Sequence, residues 1–456
     1  MIRPILHAPL WRGFLLVAFG LTWPACQRTT GEAPLPDCEL VGAWADMTLY
    51  ITKNTPANSP TYASRCLGYI GLTMYESVVP GFPEYNSLAG QLNGLDSLPA
   101  ADSRLAYNWQ LSLNAGQAAM LRSLYNQTSD ENKAKIDSLE QALQARLAAG
   151  LADRGLVDRS AAFGRSVADR IFTWSRSDGG HRGYLQNFDK TLRHPEHPGA
   201  WKPPLFAQSF SHHPLHPHWG RNRTFLEADA RLAAPAFIPF DTAQNSPYYR
   251  QFLAVCQKEP LLTREEKEIA IWWADDPDVT FTPPGHSYYI ATLLIRDKKP
   301  DLIQCARTCA GVGMAVADAF INCWKWKYQF FSERPNTYVT EHIDQRWESF
   351  WPDPPFPAFP SGHAIQGAAA ARVLIGLYGD SCVLTDRAHA GRERDEVRNV
   401  DFKERPITSL WAMAEEIAQS RFYGGIHTPQ DNAAGLEAGS RIAENINALS
   451  WKKNKR

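Results

Sequence analysis

Pro360-Ser361-Gly362-His363 runs straight into AIQGAAAARVLIGLY, residues 364–378, and this stretch decides the fold. The run after His363 is rich in helix-forming residues. Ser361 follows a proline and precedes that run, which makes it a good helix N-cap. The amides of Gly362 and His363 would then point out of a helix N-terminus, a ready site for an anion. Gly362 also lets an anion approach the backbone closely. Working outward, residues 39–53 and 60–78 carry apolar residues at helical spacing, among them Leu67, Ile70, Leu72 and Met74. Pro60 suits a first helical position. Residues 101–126, 130–150, 158–175, 300–328, 407–421 and 429–448 read as further helices, and Thr263 with Glu266 forms a capping box. Alternating strand patterns are scarce. Residues 180–245 are rich in Pro, His and aromatics without a period, and read as a long irregular excursion over the surface or rim. The class is all-α, a helical bundle with long irregular loops, and residues 39–456 form one helical domain.

The chain has 456 residues, with 47 Lys plus Arg against 48 Asp plus Glu. That balance argues against a protein built to neutralise nucleic-acid phosphates. Hydrophobic residues at 44% and charged residues at 21% are globular values. A mean hydropathy of -0.36 excludes a polytopic membrane protein. The 15 Trp, 16 Tyr and 21 Phe leave open whether some aromatics line a pocket. Residues 1–25 have Arg3 and Arg12 before the apolar run Gly13–Leu21, and read as an export signal. Cys26 directly after Ala25 suggests a lipidated N-terminus, with residues 26–38 as a tether. The expected location is therefore outside the cytoplasm of a bacterium, periplasmic or anchored at the cell surface through Cys26. No later segment is apolar for long enough to span a membrane. The other cysteines, including Cys305 and Cys309 four apart, lack zinc spacing and read as small buried thiols.

Three blocks in the C-terminal third carry chemistry. The first is Lys327, six residues, then Arg334-Pro335. The second is Pro360 to His363. The third is Ser420-Arg421, five residues, His427, and Asp431 four further on. Guanidinium forks grip oxyanions bidentately, and Lys adds a point charge. His427 could attack or ligate the anion's central atom, and His363 could move a proton on the opposite side. Asp431 lies i, i+4 from His427, where it can accept an imidazole proton and fix the tautomer. Each block alone has a bland reading as a solvated face, a turn or a surface pair. Together they fix about ten positions that all serve one anion.

The spacing KxxxxxxRP, PSGH, SRxxxxxHxxxD resembles the superfamily of vanadium-dependent haloperoxidases, type 2 phosphatidic acid phosphatases and bacterial acid phosphatases. The blocks cover residues 324–431, and weaker likeness extends through Trp273-Ala274-Asp275, Pro217-His218-Trp219-Gly220 and the helix after Pro60. The resemblance implies an all-helical bundle with the anion site in its core. It implies His427 as axial ligand of vanadate, or as the phosphohistidine nucleophile of a phosphatase. It further implies Lys327, Arg334, Arg421, Ser361 and Gly362 on the equatorial oxygens and His363 as the acid/base. Vanadate, as vanadium(V), would be the cofactor, with phosphate able to occupy the same site. Hydrogen peroxide and a halide would be the co-substrates, iodide or bromide rather than chloride, and Lys327 would polarise the bound peroxide. The alternative is an exported acid phosphatase; a third reading is a phosphate-binding lipoprotein without catalysis.

Trp324 and Phe356 stand at the offsets that flank the halide in haloperoxidases, so they are the expected halide wall, with plain core packing as the alternative. Asp275 is the candidate carboxylate partner for one of the arginines, and Asp276 competes with it. His194, His197, His212, His213, His216 and His218 form a tract whose prolines favour a rim or packing role over a metal site.

Overall fold

The computed structural model describes residues 34–453 apart from 205, 206, 209, 210 and 278. The export signal and Cys26 lie outside the described residues. Residues 35–456 form one unit by their internal contacts. Helices are α1 (Asp37–Lys53), α2 (Pro60–Glu76), α3 (Trp109–Leu124), α4 (Asp130–Ala148) and α5 (Arg154–Ser175). They continue as α6 (Glu227–Ala230), α7 (Pro247–Lys258), α8 (Arg264–Trp272), α9 (Thr282–Lys298) and α10 (Leu302–Phe330). The last four are α11 (Pro335–His342), α12 (Gly362–Tyr378), α13 (Leu410–Tyr423) and α14 (Pro429–Asn447).

The shaft of the bundle is α10, 29 residues long and buried on nearly every face. The Asp301 side chain caps its start by accepting from the Gln304 amide. Helix α2 lies directly on it. A Cβ on Gly71 would come within 2.4 Å of the Cys309 carbonyl, and one on Gly313 within 2.4 Å of the Leu67 carbonyl. The two backbones therefore touch, and any side chain at either glycine would force them apart. Helices α12 and α14 meet in the same way: a Cβ on Gly435 would lie 2.8 Å from the Ser361 carbonyl. That contact sets the N-terminus of α14 beside the N-terminus of α12, where the second and third sequence blocks sit.

Most expected helices form close to their expected limits, and the Thr263–Glu266 capping box is present. Two boundaries are corrected. Helix α1 starts at Asp37, so residues 37 and 38 belong to the bundle rather than to a tether. Helix α3 starts at Trp109 instead of residue 101, because Asp102 turns its carboxylate onto the Arg104 amide and Asn108 caps the helix proper. The sequence pattern also missed α7, α9 and α11, each of which starts with prolines or at one. Proline in a first turn costs no hydrogen bond. A two-stranded antiparallel hairpin, β1 (Ser381–Asp386) and β2 (Arg405–Ser409), precedes α13.

The excursion 180–245 is irregular as expected, but it is more than a rim. Trp201, Leu215, His216, Trp219 and Phe225 within it are buried. The amides of Phe225 and Leu226 both donate to the Asp318 carboxylate on α10, which pins the excursion to the shaft. His216 stacks on Trp219 and His218 pairs with Asp189. The seven described cysteines are free, and five of them, Cys305 and Cys309 included, are buried. Among the described residues no helix is long and apolar enough to cross a membrane.

Candidate active site

The three sequence blocks converge at one end of α10. Trp324 and Lys327 come from its last turns, Arg334 from the residue before α11, and Phe356 from the Pro-rich loop 352–360. Ser361, Gly362 and His363 open α12, Arg421 sits near the end of α13, and His427 lies in the turn into α14. The Ser361 side chain caps α12 by accepting from the Ala364 amide at 3.3 Å. The Ser361 amide donates to the Asp431 carbonyl at 3.0 Å, tying the two helix starts together. The positive end of the α12 dipole thus faces the cluster.

Lys327, Arg334 and Arg421 are each at most 1% exposed. Among the described residues none of the three forms a salt bridge. Lys327 Nζ donates to the carbonyls of Pro357 at 2.8 Å and Ala358 at 2.5 Å. Arg334 donates to the carbonyls of Phe356 and Ile426, both at 2.9 Å. Arg421 donates to the Ala270 carbonyl and to Ser420 Oγ, and its Nη1 is buried without a partner. Burial pushes the Lys327 ammonium down to about 7 and both guanidiniums down to about 10. Asp431, Asp353 and Asp276 act on these charges without touching them and do not offset burial; cations so placed are costly, and an anion in their midst relieves that cost.

His427 is 2% exposed. Its Nδ1 faces Asp431 Oδ2 at 3.1 Å, and that oxygen also accepts from the Thr428 amide at 2.9 Å. With Nδ1–H donating to the carboxylate, the Nε2 lone pair points the other way, toward Arg334 Nη1 at 3.2 Å. Burial and then Arg334 and Lys327 hold the imidazole well below its ordinary value, so it stays neutral. His363 is only partly covered. Burial and Arg421 push it down to about 3, and its Nε2 lies 3.4 Å from the Ala274 carbonyl. A Cβ on Gly362 would rest in ordinary contact with Trp324 at 3.7 Å and Cys323 at 3.9 Å.

A cavity of about 560 Å³ opens onto this cluster and is lined by Gly362, His363, Arg421, His427, Trp324 and Phe356. The Trp324 and Phe356 rings lie 4.9 Å apart. Lys327 Nζ sits 5.3 Å from the Phe356 ring centre, and the Arg334 guanidinium 5.2 Å from it. Trp324 is fixed by a hydrogen bond from Nε1 to the Leu215 carbonyl at 3.1 Å. The buried donors, the α12 N-terminus at Gly362 and an imidazole Nε2 whose lone pair meets only a cationic donor fit a small tetrahedral oxyanion.

One expectation is met only in part. Neither Asp275 nor Asp276 forms a salt bridge with an arginine among the described residues, although Asp276 and then Asp275 favour the Arg421 charge from a distance. Asp275 instead takes His286 at 2.8 Å and His389 at 2.9 Å, which offer it nitrogen donors without a guanidinium's bulk. Asp276 accepts from Gln208 Nε2 at 3.2 Å. Asp353 was missed. It is fully buried, both its oxygens lack a hydrogen-bond partner, and burial pushes its carboxyl up to about 7 despite the pull of Arg334. Its setting between two prolines looks like an ordinary turn, so the sequence carries no signal for it.

Residues 307–453 match the family model described as VCPO second helical-bundle domain. Over 394 residues the chain is 25% identical to the vanadium chloroperoxidase of Curvularia inaequalis, covering 72% of this chain and 63% of that protein. The chain therefore spans less than two thirds of that curated relative. A solved bacterial vanadium-dependent iodoperoxidase is 28% identical, with TM-score 0.77 over 92% of this chain and 99% of its own. A holo-type bacterial vanadium-dependent chloroperoxidase has TM-score 0.63 over 91% of this chain and 94% of its own. At 14% identity it shares the fold alone.

Proposed function

We propose that the chain is a vanadium-dependent haloperoxidase that oxidises iodide or bromide with hydrogen peroxide, using vanadate held in the cavity beside His427. The observation that carries the reading is the set of three buried cations that form no salt bridge among the described residues, gathered around Nε2 of His427. An oxyanion supplies the contact charge they lack. Likeness to an iodoperoxidase supports the choice of the softer halides.

Bound vanadate would supply Lewis acidity that activates peroxide toward the halide. The rest is work for this chain's own side chains. Arg334, Arg421, Lys327 and the Gly362 amide hold the oxygens by charge-assisted hydrogen bonds. His427 offers Nε2 to the central atom, and Asp431 keeps its proton on Nδ1. His363, kept neutral by burial and Arg421, accepts a proton from incoming hydrogen peroxide and returns it as water leaves. The sum is H₂O₂ + X⁻ + H⁺ → HOX + H₂O, with the halide losing two electrons to the peroxide oxygen. Trp324 and Phe356 dehydrate the halide beside the cations. Export and anchoring at Cys26 would place the product outside the cytoplasm.

The test is to load the purified chain with vanadate and assay iodide and bromide oxidation with peroxide. The same sample without vanadate is assayed on a phosphomonoester. Iodide turnover that depends on vanadate and vanishes in His427→Ala supports the proposal. Phosphatase turnover without peroxidase activity would replace it with the phosphohistidine reading.

A further inference from the structure

Behind the cavity wall lies a second polar cluster that the proposed reaction does not use. Asp275 follows α8, His286 sits in the first turns of α9, Asp386 ends β1, and His389 follows it by three residues. All four are at most 2% exposed. Asp275 Oδ2 lies 2.8 Å from His286 Nδ1, and Asp275 Oδ1 lies 2.9 Å from His389 Nε2. The far nitrogen of His286, Nε2, lies 2.8 Å from Asp386 Oδ2. That oxygen also accepts from Trp272 Nε1 at 2.7 Å, and Asp386 Oδ1 accepts from the Ala388 amide at 2.9 Å.

We propose that Asp275, His286 and His389 bind a zinc ion, with Asp386 as the carboxylate that orients His286. One ligand atom from each of the three lies within 4.8 Å of the others. Small side-chain shifts bring such a set to the ~2.0–2.2 Å that zinc takes to imidazole nitrogen and carboxylate oxygen. Asp386 supplies a second and independent pointer. A metal-bound histidine commonly donates its other ring N–H to a carboxylate that is itself held in place. Asp386 is so held, by an indole and a backbone amide.

Two imidazoles and two carboxylates meet here in the interior, and neither carboxylate hydrogen-bonds to an arginine among the described residues. Zinc suits a mixed nitrogen and oxygen set with no strong geometric demand. Asp275 lines the anion cavity, so the ion would staple the segment after α8, the start of α9 and the segment after β1 into a rigid back wall.

The experiment uses the full chain without an affinity tag, free of vanadate, incubated with zinc sulfate and desalted. Elemental analysis should find about one zinc per chain. His389→Gln and Asp275→Asn should lose it, while His427→Ala, which disables the anion site, should keep it. Removing the metal with a chelator should lower the melting temperature of the vanadate-free protein. Should the variants fail to fold, cobalt substitution of the wild-type chain decides: intense visible bands of a four-coordinate ion support the site. A wild-type chain that takes up neither metal overturns the proposal. Full zinc content in a folded His389→Gln variant overturns it too, by placing the ion elsewhere.

Discussion

Arg65 and Arg421 are both arginines with almost no exposed surface, yet they stand in opposite electrostatic settings. Arg65, between α2 and the end of α5, donates from Nε to Asp178 at 2.6 Å and from Nη2 to the Ser175 carbonyl at 2.7 Å. Its guanidinium lies 4.9 Å from the Tyr69 ring centre, and Tyr69 donates to the same carboxylate. Burial works against its charge, but Asp178 and Tyr69 outweigh burial and raise it above the ordinary value. Arg421 forms no salt bridge among the described residues, and burial pushes it down because the pull of Asp276 and Asp275 does not offset it. Each guanidinium leaves its Nη1 buried without a partner, so the difference lies in charge: Arg65 has a carboxylate in contact and Arg421 has none in contact. A buried cation therefore marks a site when no carboxylate touches it and those nearby do not offset its burial.

That contrast can be broken from either side. Arg65→Ala strands Asp178 in the interior and should cost about 3–5 kcal/mol of stability by denaturant unfolding. It should leave vanadate affinity untouched, and a matching loss of affinity would show that the two arginines are not separate. Arg421→Met should do the reverse. Vanadate affinity should fall about a hundredfold, roughly 2.7 kcal/mol, by calorimetric titration, with a smaller change in stability. An unchanged dissociation constant would remove Arg421 from the site. Vanadate itself should stabilise the wild-type chain, by about 2.7 kcal/mol at a hundred times its dissociation constant. That gain should shrink in Arg421→Met and persist in Arg65→Ala.

A smaller effect concerns acids rather than cations. Burial pushes Glu76 up to about 7, Asp353 up to about 7 and Glu333 up to about 8. Unfolded carboxyls titrate near ~4. Folding thus takes up protons, and the stability involved is full below pH ~4 and is lost as pH rises through about 7 to 8. The vanadate-free chain should be less stable at pH 8 than at pH 6. Glu76→Gln, which keeps an oxygen for the Leu88 amide, should flatten that slope by at most ~1.4 kcal/mol per pH unit. A slope equal to the wild type's would mean that Glu76 is ionised in the fold. The smallest change expected is in Phe356→His, which should move the ratio of bromide to iodide turnover by about tenfold or less. Identical ratios would return Phe356 to plain packing.

The short-range parts of this molecule were legible in its sequence. Ser361 as an N-cap, His427 with Asp431 one helical turn on, and the Thr263–Glu266 box all follow from spacings of three or four residues, and all are seen. The buried shaft was legible from its long apolar-periodic stretch. What escaped depends on contacts distant in sequence or on a proline-masked start. Asp275, His286 and His389 come together across more than a hundred positions, with no shared spacing. The histidine tract at 194–218 drew attention by density alone, yet among the described residues the cluster with metal-ligand geometry uses none of it. Helix α9 was hidden because Thr282-Pro283-Pro284 looks like a loop until its prolines are placed in the first turn.

The glycine contact between α2 and α10 has a consequence for how this pocket can change. Trp324 rides on a helix whose axial position is locked by two backbones in contact at Gly71 and Gly313. Phe356 hangs from a loop of prolines that has no such lock. The two aromatic walls of one pocket therefore differ in their freedom to vary. Selection for a new halide or a larger acceptor would meet least resistance along the loop, leaving the helix wall as the fixed reference against which each new variant is gauged.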